Sequence, residues 1–339
     1  MSLMLEEALN APDRLRGQLG RNQEMLRDLG QRLRIEPPRC VVTVARGSSD
    51  HAAGYFAYLC MQAQGIPVAS LPPSLSTLAR APWQLDGQLS VAISQSGQSP
   101  DLIASQSAFK SGGARTVALV NSPESPLGRD SDVEVPLHAG EEHSVAATKS
   151  YLATLSAAAQ LIAHWGENAL MLNALSELPD RLVEAAAQDW TPAIDTLLDA
   201  DKLMVIGRGP GLAIAQEAAL KFKETCAIQA EPFSAAEVRH GPMALIEPGY
   251  PVLVFAPLGP EQVGLLELAE WLESIGAKVL LAADKRVTHR HLTLTDANHE
   301  SLQPLSVIQS FYPMVAGLAT ARGIDPDKPR HLRKVTCTL

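Results

Sequence analysis

The chain has 339 residues, 46% of them hydrophobic and 19% charged, with a formal net charge of −9. That is enough apolar material for two packed domains, and the acidic balance argues against a protein whose main work is neutralising nucleic-acid phosphates. No stretch is long and apolar enough to span a bilayer and the N-terminus lacks the apolar core of a secretory leader, so a cytoplasmic protein with neither nucleic acid nor membrane as partner is expected.

Residues 1–34 have a charged helical pattern and form an N-terminal helical segment. After Pro37-Pro38, the apolar run at residues 40–45 reads as a buried parallel strand, and similar runs recur at 66–70, 89–93, 116–120 and 133–137. Between them lie Ala/Leu-rich stretches of helical period, among them residues 50–62 and 101–110. Strands apolar on both faces that alternate with helices indicate a parallel sheet covered on both sides. A long Ala/Leu helix at 148–165 closes this half, and residues 175–189 read as a helical connection.

The pattern then restarts. Lys202-Leu-Met-Val-Ile-Gly-Arg-Gly209 echoes Val41-Val-Thr-Val-Ala-Arg-Gly47, and further apolar runs follow at 251–256, 278–281 and 292–294. The spacing predicts an α/β chain of two tandem, diverged copies of one doubly wound unit, at 35–175 and 190–330, followed by a tail at 331–339. The four cysteines, Cys40, Cys60, Cys226 and Cys337, are too scattered for a zinc site and read as free thiols.

At the end of its third strand the first copy has Ser94-Gln95-Ser96-Gly97-Gln98-Ser99, where the second has Pro257-Leu258-Gly259-Pro260. Amides at a strand-to-helix turn are unpaired and the helix dipole favours an anion there, so hydroxyls from Ser94, Ser96 and Ser99, the Gln95 amide and a close-approaching Gly97 suit a phosphate monoester. The turn Gly47-Ser48-Ser49-Asp50 offers hydroxyls to the same crevice. Ordinary helix capping uses the same residue types, and that reading stands beside the phosphate one. No Gly-Lys-Ser/Thr follows, so this is not a P-loop, and no GxGxxG dinucleotide fingerprint is present.

Glu217, Lys221 and Glu224 fall at i, i+4 and i+7 and share one helical face. On a solvated helix they would be an ordinary charge pair, but Ala213, Ile214, Ala218, Ala219, Leu220 and Phe222 cover much of the remaining circumference, which predicts a largely buried helix. Buried carboxylates often mark sites. Downstream, His240 precedes Gly241-Pro242 at a turn that can present its imidazole. A carboxylate at Glu224 with an imidazole at His240 would suit acid/base chemistry near neutral pH.

The segments GSSDHAAG, ISQSGQSPD, AGEEHSVAATKS, EAALKFKETCAIQAE, EVRHGPMALIEP and DPDKPRHLRKVT resemble the sugar isomerase (SIS) family over nearly the whole chain after about residue 35. They look like the isomerase half of glucosamine-6-phosphate synthase. Because the chain begins Met1-Ser2 rather than with a glutaminase, and carries the SSDHA and VAATKSYLATLSA wording, it looks more like the SIS-type glucosamine-6-phosphate deaminases. The resemblance implies flavodoxin-like SIS domains and conversion of glucosamine 6-phosphate to fructose 6-phosphate and ammonia without metal or organic cofactor. Alternatives are a related amino-sugar or fructosamine phosphate isomerase or deaminase, a synthase-like isomerase without glutaminase, and a sugar-phosphate sensor. It puts phosphate contacts on Ser94, Gln95, Ser96 and Ser99 with Ser49 beside them. It also implies an enolisation base at Glu224, a ring-opening histidine at His240, a site lysine at Lys334, and companion charges at Glu217 and Lys221. In the family the histidine comes from a neighbouring subunit, which implies a homodimer. Ala147 departs from the serine of the synthase pattern.

Overall fold

The computed structural model describes residues 1–334, so the expectation of a free thiol at Cys337 lies outside the described residues. Helix α1 (Leu3–Ile35) leads into β1 (Val41–Val44), α2 (Ser48–Gln64), β2 (Val68–Ser70), the short α3 (Ser74–Thr77), β3 (Leu89–Ser94), α4 (Pro100–Ser111), β4 (Arg115–Val120), α5 (Pro126–Asp130), β5 (Val133–Pro136) and α6 (Lys149–Trp165). Next come α7 (Ala169–Ala186), α8 (Thr191–Leu197), β6 (Lys202–Gly207), α9 (Gly211–Cys226), β7 (Gln229–Ser234), α10 (Ala235–Val238), β8 (Pro251–Ala256), α11 (Gln262–Ser274), β9 (Lys278–Asp284), β10 (Leu292–Leu294) and α12 (Gln303–Ala321).

The first five strands form one sheet in the order β2-β1-β3-β4-β5 and the last five a second, β10-β9-β8-β6-β7. All pairings are parallel. Read from its other edge, the second sheet has the same permutation as the first, so the expected α/β duplication is present in the topology as well as in the echoed Arg-Gly. Strands β1 and β3 are buried on both faces, as their continuous apolar runs require.

Strand β7, Gln-Ala-Glu-Pro-Phe-Ser, has no counterpart among the strands expected from sequence. Its polar alternation and Pro232 disguise it, and it pairs only with β6 at the sheet edge, where a proline is tolerated.

The described residues divide into two compact units: Asp13–Glu142 with Lys149–Ser176 and residues 333–334, and Glu177–Leu332 with Met1–Pro12 and His143–Thr148. In the unit containing the first sheet, Val42, Val44, Ala92, Ala118 and Val120 pack under Leu102 and Phe109 of α4 and Leu127 of α5. On the opposite side α2 packs against the almost wholly buried α6. In the other unit, Met204, Ile206, Val252, Val254 and Leu281 pack under Leu265, Leu268 and Leu272 of α11. There α9 lies against α12, pinned by the edge-to-face pair Phe222–Phe311 at 5.1 Å between ring centroids.

Candidate functional site

In a doubly wound sheet, ligands collect outside the carboxyl ends of the strands where the strand order reverses. In the first sheet that point lies between β1, which is followed by β2 on one side, and β3, its other neighbour. The turns that leave these two strands are Gly47-Ser48-Ser49 and Ser94–Ser99, the two serine-rich turns singled out from sequence. Gly47 (φ +54°) and Gly97 (φ +60°) both occupy the left-handed region. At Gly97 a side chain is also excluded by space, since a Cβ would lie 2.2 Å from Ser125 Oγ.

Within the loop, Ser94 Oγ accepts the Gly97 amide at 3.1 Å and Ser96 Oγ accepts the Gln98 amide at 3.3 Å. Each hydroxyl accepts here and keeps its own O–H for donation to another acceptor. Ser99 stands at the N-cap of α4, yet its side chain makes no capping bond. The cap reading therefore does not account for Ser99. Arg46 donates from Nε and Nη2 to Oδ2 of the buried Asp101, the second residue of α4, at 3.0 and 2.9 Å. Sequence reasoning missed this pair.

In the second unit, Gly207 ends β6 where a Cβ would meet the Gly211 carbonyl oxygen at 2.3 Å, so only glycine lets α9 begin this close to its strand. Helix α9 is largely buried, as its sequence predicts. Lys221 Nζ lies 3.2 Å from Glu217 Oε1 and donates to Glu224 Oε2 at 2.6 Å. The Lys221 and Glu217 side chains are essentially inaccessible, at 1% and 0% exposure, whereas Glu224 keeps 17%. Burial alone would push the Lys221 ammonium toward neutrality, but the flanking Glu217 and Glu224 carboxylates outweigh it and hold its proton more tightly than in a free lysine. Glu224, the partly open end of this charge stripe, lines a pocket of about 310 Å³ together with Leu220, Lys223, Ala227, Ile324, Arg330 and Leu332.

His240 follows α10 in an exposed turn next to Gly241 (φ +144°), and its amide donates to the Glu237 carbonyl at 2.9 Å. It is not part of the pocket wall that carries Glu224. Lys334 donates to Glu142 Oε2 at 2.8 Å. Glu142 is in turn fixed at the start of α6, where Ser150 donates its hydroxyl to Oε2 at 2.6 Å and its amide to Oε1 at 3.1 Å. Sequence reasoning did not foresee Glu142 either. Among the described residues no group of three or more His, Cys, Asp or Glu is arranged to hold a metal ion, and no helix is long and apolar enough to cross a membrane.

Fold and loop chemistry together define a tandem doubly wound α/β protein with a serine-rich turn in one copy and a buried charge stripe in the other. The sequence signature of the SIS domain matches residues 35–164 and again 196–312, and the chain belongs to the SIS domain family. It is 32% identical over 311 residues to an isomerising glutamine–fructose-6-phosphate aminotransferase of Zymomonas mobilis, a match covering 87% of this chain and 51% of that protein. The chain thus spans about half the length of the curated relatives it matches. A candidate phosphosugar isomerase of Silicibacter pomeroyi has a crystal structure that superposes with a TM-score of 0.92 at 41% identity, covering 96% of this chain and 100% of that one. Glucosamine-6-phosphate deaminase of Thermotoga maritima shares the fold, with a TM-score of 0.79 at 22% identity over 99% and 100% of the two chains.

Proposed function

We propose that the protein deaminates glucosamine 6-phosphate with isomerisation, giving fructose 6-phosphate and ammonia. The observation that carries this reading is a carboxylate at a pocket wall, Glu224, hydrogen-bonded to a lysine whose charge is locked by a second, fully buried carboxylate. In this reading the Ser94–Ser99 loop, with Ser48 and Ser49 beside it, binds the remote phosphate and so orients the reacting carbons. His240, contributed across a homodimer interface, moves the proton that opens the sugar ring. Glu224 removes the C2 proton to give an enolamine and returns a proton to C1. The resulting C2 imine takes up water and releases ammonia, leaving the ketose. Lys334, seated by Glu142, stabilises charge developing on oxygen during enolisation. The SSDHA and VAATKSYLATLSA stretches and Ala147 favour this reaction over amino transfer.

A second reading is favoured by the names of the relatives. The same base would run the isomerisation toward glucosamine 6-phosphate when a source of ammonia and fructose 6-phosphate is supplied. One assay decides between them. Ammonia and fructose 6-phosphate are measured from glucosamine 6-phosphate, galactosamine 6-phosphate and fructosamine phosphates, and glucosamine 6-phosphate is measured from fructose 6-phosphate with ammonium or with glutamine. Stoichiometric ammonia and fructose 6-phosphate from glucosamine 6-phosphate is the expected result. Product only in the synthetic direction, or only from another amino-sugar phosphate, would replace the reading.

A further inference from the structure

The serine loop has hydroxyls and amides but no cation within residues 94–99, and it runs into a carboxylate. Asp101 is buried in the first turn of α4, where its Oδ1 accepts the Leu102 amide at 2.9 Å. Left uncompensated, that charge would repel a phosphate dianion at the same helix start. Arg46 comes from the other turn of the crevice and lays two nitrogens on Asp101 Oδ2, although the two residues are 55 positions apart in the chain. Its side chain stays 55% exposed, with Nη1 making no hydrogen bond among the described residues.

We propose that Arg46 is a phosphate-binding residue, compensating the buried Asp101 and aimed by it, so that its guanidinium presents a charged N–H donor beside a loop that has none. This rests on the reading of the loop as an anion site and deepens it. A guanidinium keeps its charge at all working pH values and has a fork of donors, so binding Asp101 through Nε and Nη2 leaves Nη1 for a phosphate oxygen. The second copy supports the assignment. It repeats the arginine as Arg208, but the second residue of its following helix α11 is Val263, and its turn carries prolines and leucine in place of serines. The acid that orients the arginine and the hydroxyls that would share its anion occur together in one copy only.

The test is calorimetric binding of glucose 6-phosphate and of inorganic phosphate to the full chain, with a thermal melt of each variant alongside. Arg46→Ala is expected to weaken both ligands by roughly 10- to 100-fold, the range for loss of a charge-assisted contact. Arg46→Lys should fall between, because an ammonium cannot reproduce the fork. Arg46→Ala combined with Asp101→Asn should regain part of the loss, since the repelling carboxylate is gone. A pair that merely ties the two turns together would lower the melting temperature and leave affinity within twofold of wild type, and that result overturns the inference. Should Arg46→Ala fail to fold, Arg46→Lys decides by the same criterion. A wild-type chain that binds neither probe would overturn the serine-loop reading and this inference with it. Tight wild-type binding with unchanged variants overturns this inference alone.

Discussion

The two copies share a strand permutation and the Arg-Gly at the end of their first strand, and they differ in what lies beside it. In the first, the turn after β3 is Ser-Gln-Ser-Gly-Gln-Ser and the arginine is bound to a buried aspartate. In the second, the turn after β8 is Pro-Leu-Gly-Pro and is followed by Glu261, whose carboxylate lies so close to Gly209 that a Cβ there would meet Oε1 at 2.4 Å. An acidic side chain thus lies beside the turns that correspond to the serine-rich turns of the first copy. The helices that follow the arginines diverge in the opposite sense. Counted from the shared Arg-Gly, Glu217 and Lys221 of α9 correspond to Tyr55 and Leu59 of α2, both buried without a charge. One copy carries hydroxyls and a carboxylate-bound arginine in the turns after its strands, and the other keeps charge inside a helix.

The strongest test of that contrast is Lys221→Met. The apolar side chain suits the corresponding position in the first copy, but in α9 it leaves Glu217 and Glu224 without their shared cation. Breaking a buried pair this way is expected to cost ~3–5 kcal/mol of unfolding free energy in chemical denaturation. A cost below about 1 kcal/mol, the level of an exposed pair, would show that the stripe is not held as described. Next in size is Gly97→Ala. The left-handed backbone alone carries a penalty of roughly 1–2 kcal/mol, and the clash with Ser125 adds to it, so both the melting temperature and sugar-phosphate affinity should fall. Gly259→Ala in the second copy should leave that affinity untouched, and equal losses from both would erase the distinction between the turns.

Smaller again is Ser96→Ala, which should weaken sugar-phosphate binding by ~1 kcal/mol, about fivefold, while Leu258→Ala changes nothing in the same titration. The smallest effect is a similarity. Burial pushes the Cys60 thiol of α2 up to about 12 and the Cys226 thiol of α9 up to about 11. Because the thiolate is the reactive form, neither should be modified near neutral pH by a thiol reagent until the protein unfolds. Rapid labelling of one in the native state would show that its helix is not packed as its copy requires.

Much of this architecture is legible in the sequence because it rests on local signals. Continuous apolar runs such as Val41-Val-Thr-Val and Leu89-Ser-Val-Ala-Ile give buried parallel strands, and the repeated Arg-Gly gives the duplication. The i, i+4, i+7 spacing places Glu217, Lys221 and Glu224 on one face. Strand β7 escapes because an edge position relaxes the rule against proline, so Pro232 suggests a loop. Arg46–Asp101 and Lys334–Glu142 escape for a different reason. Their partners are 55 and 192 residues apart, and only the folded chain brings a buried carboxylate to each cation. The pocket wall around Glu224 likewise joins residues of α9 to Ile324, Arg330 and Leu332 from beyond α12.

The division of labour between the copies is tested most directly by Glu224→Gln, assayed for sugar-phosphate affinity by calorimetry and for ammonia release from glucosamine 6-phosphate in the same preparation. The expected result is affinity within a factor of about two of wild type with turnover reduced by ~100-fold or more, the scale of a lost general base. Undiminished turnover in that variant would contradict the account.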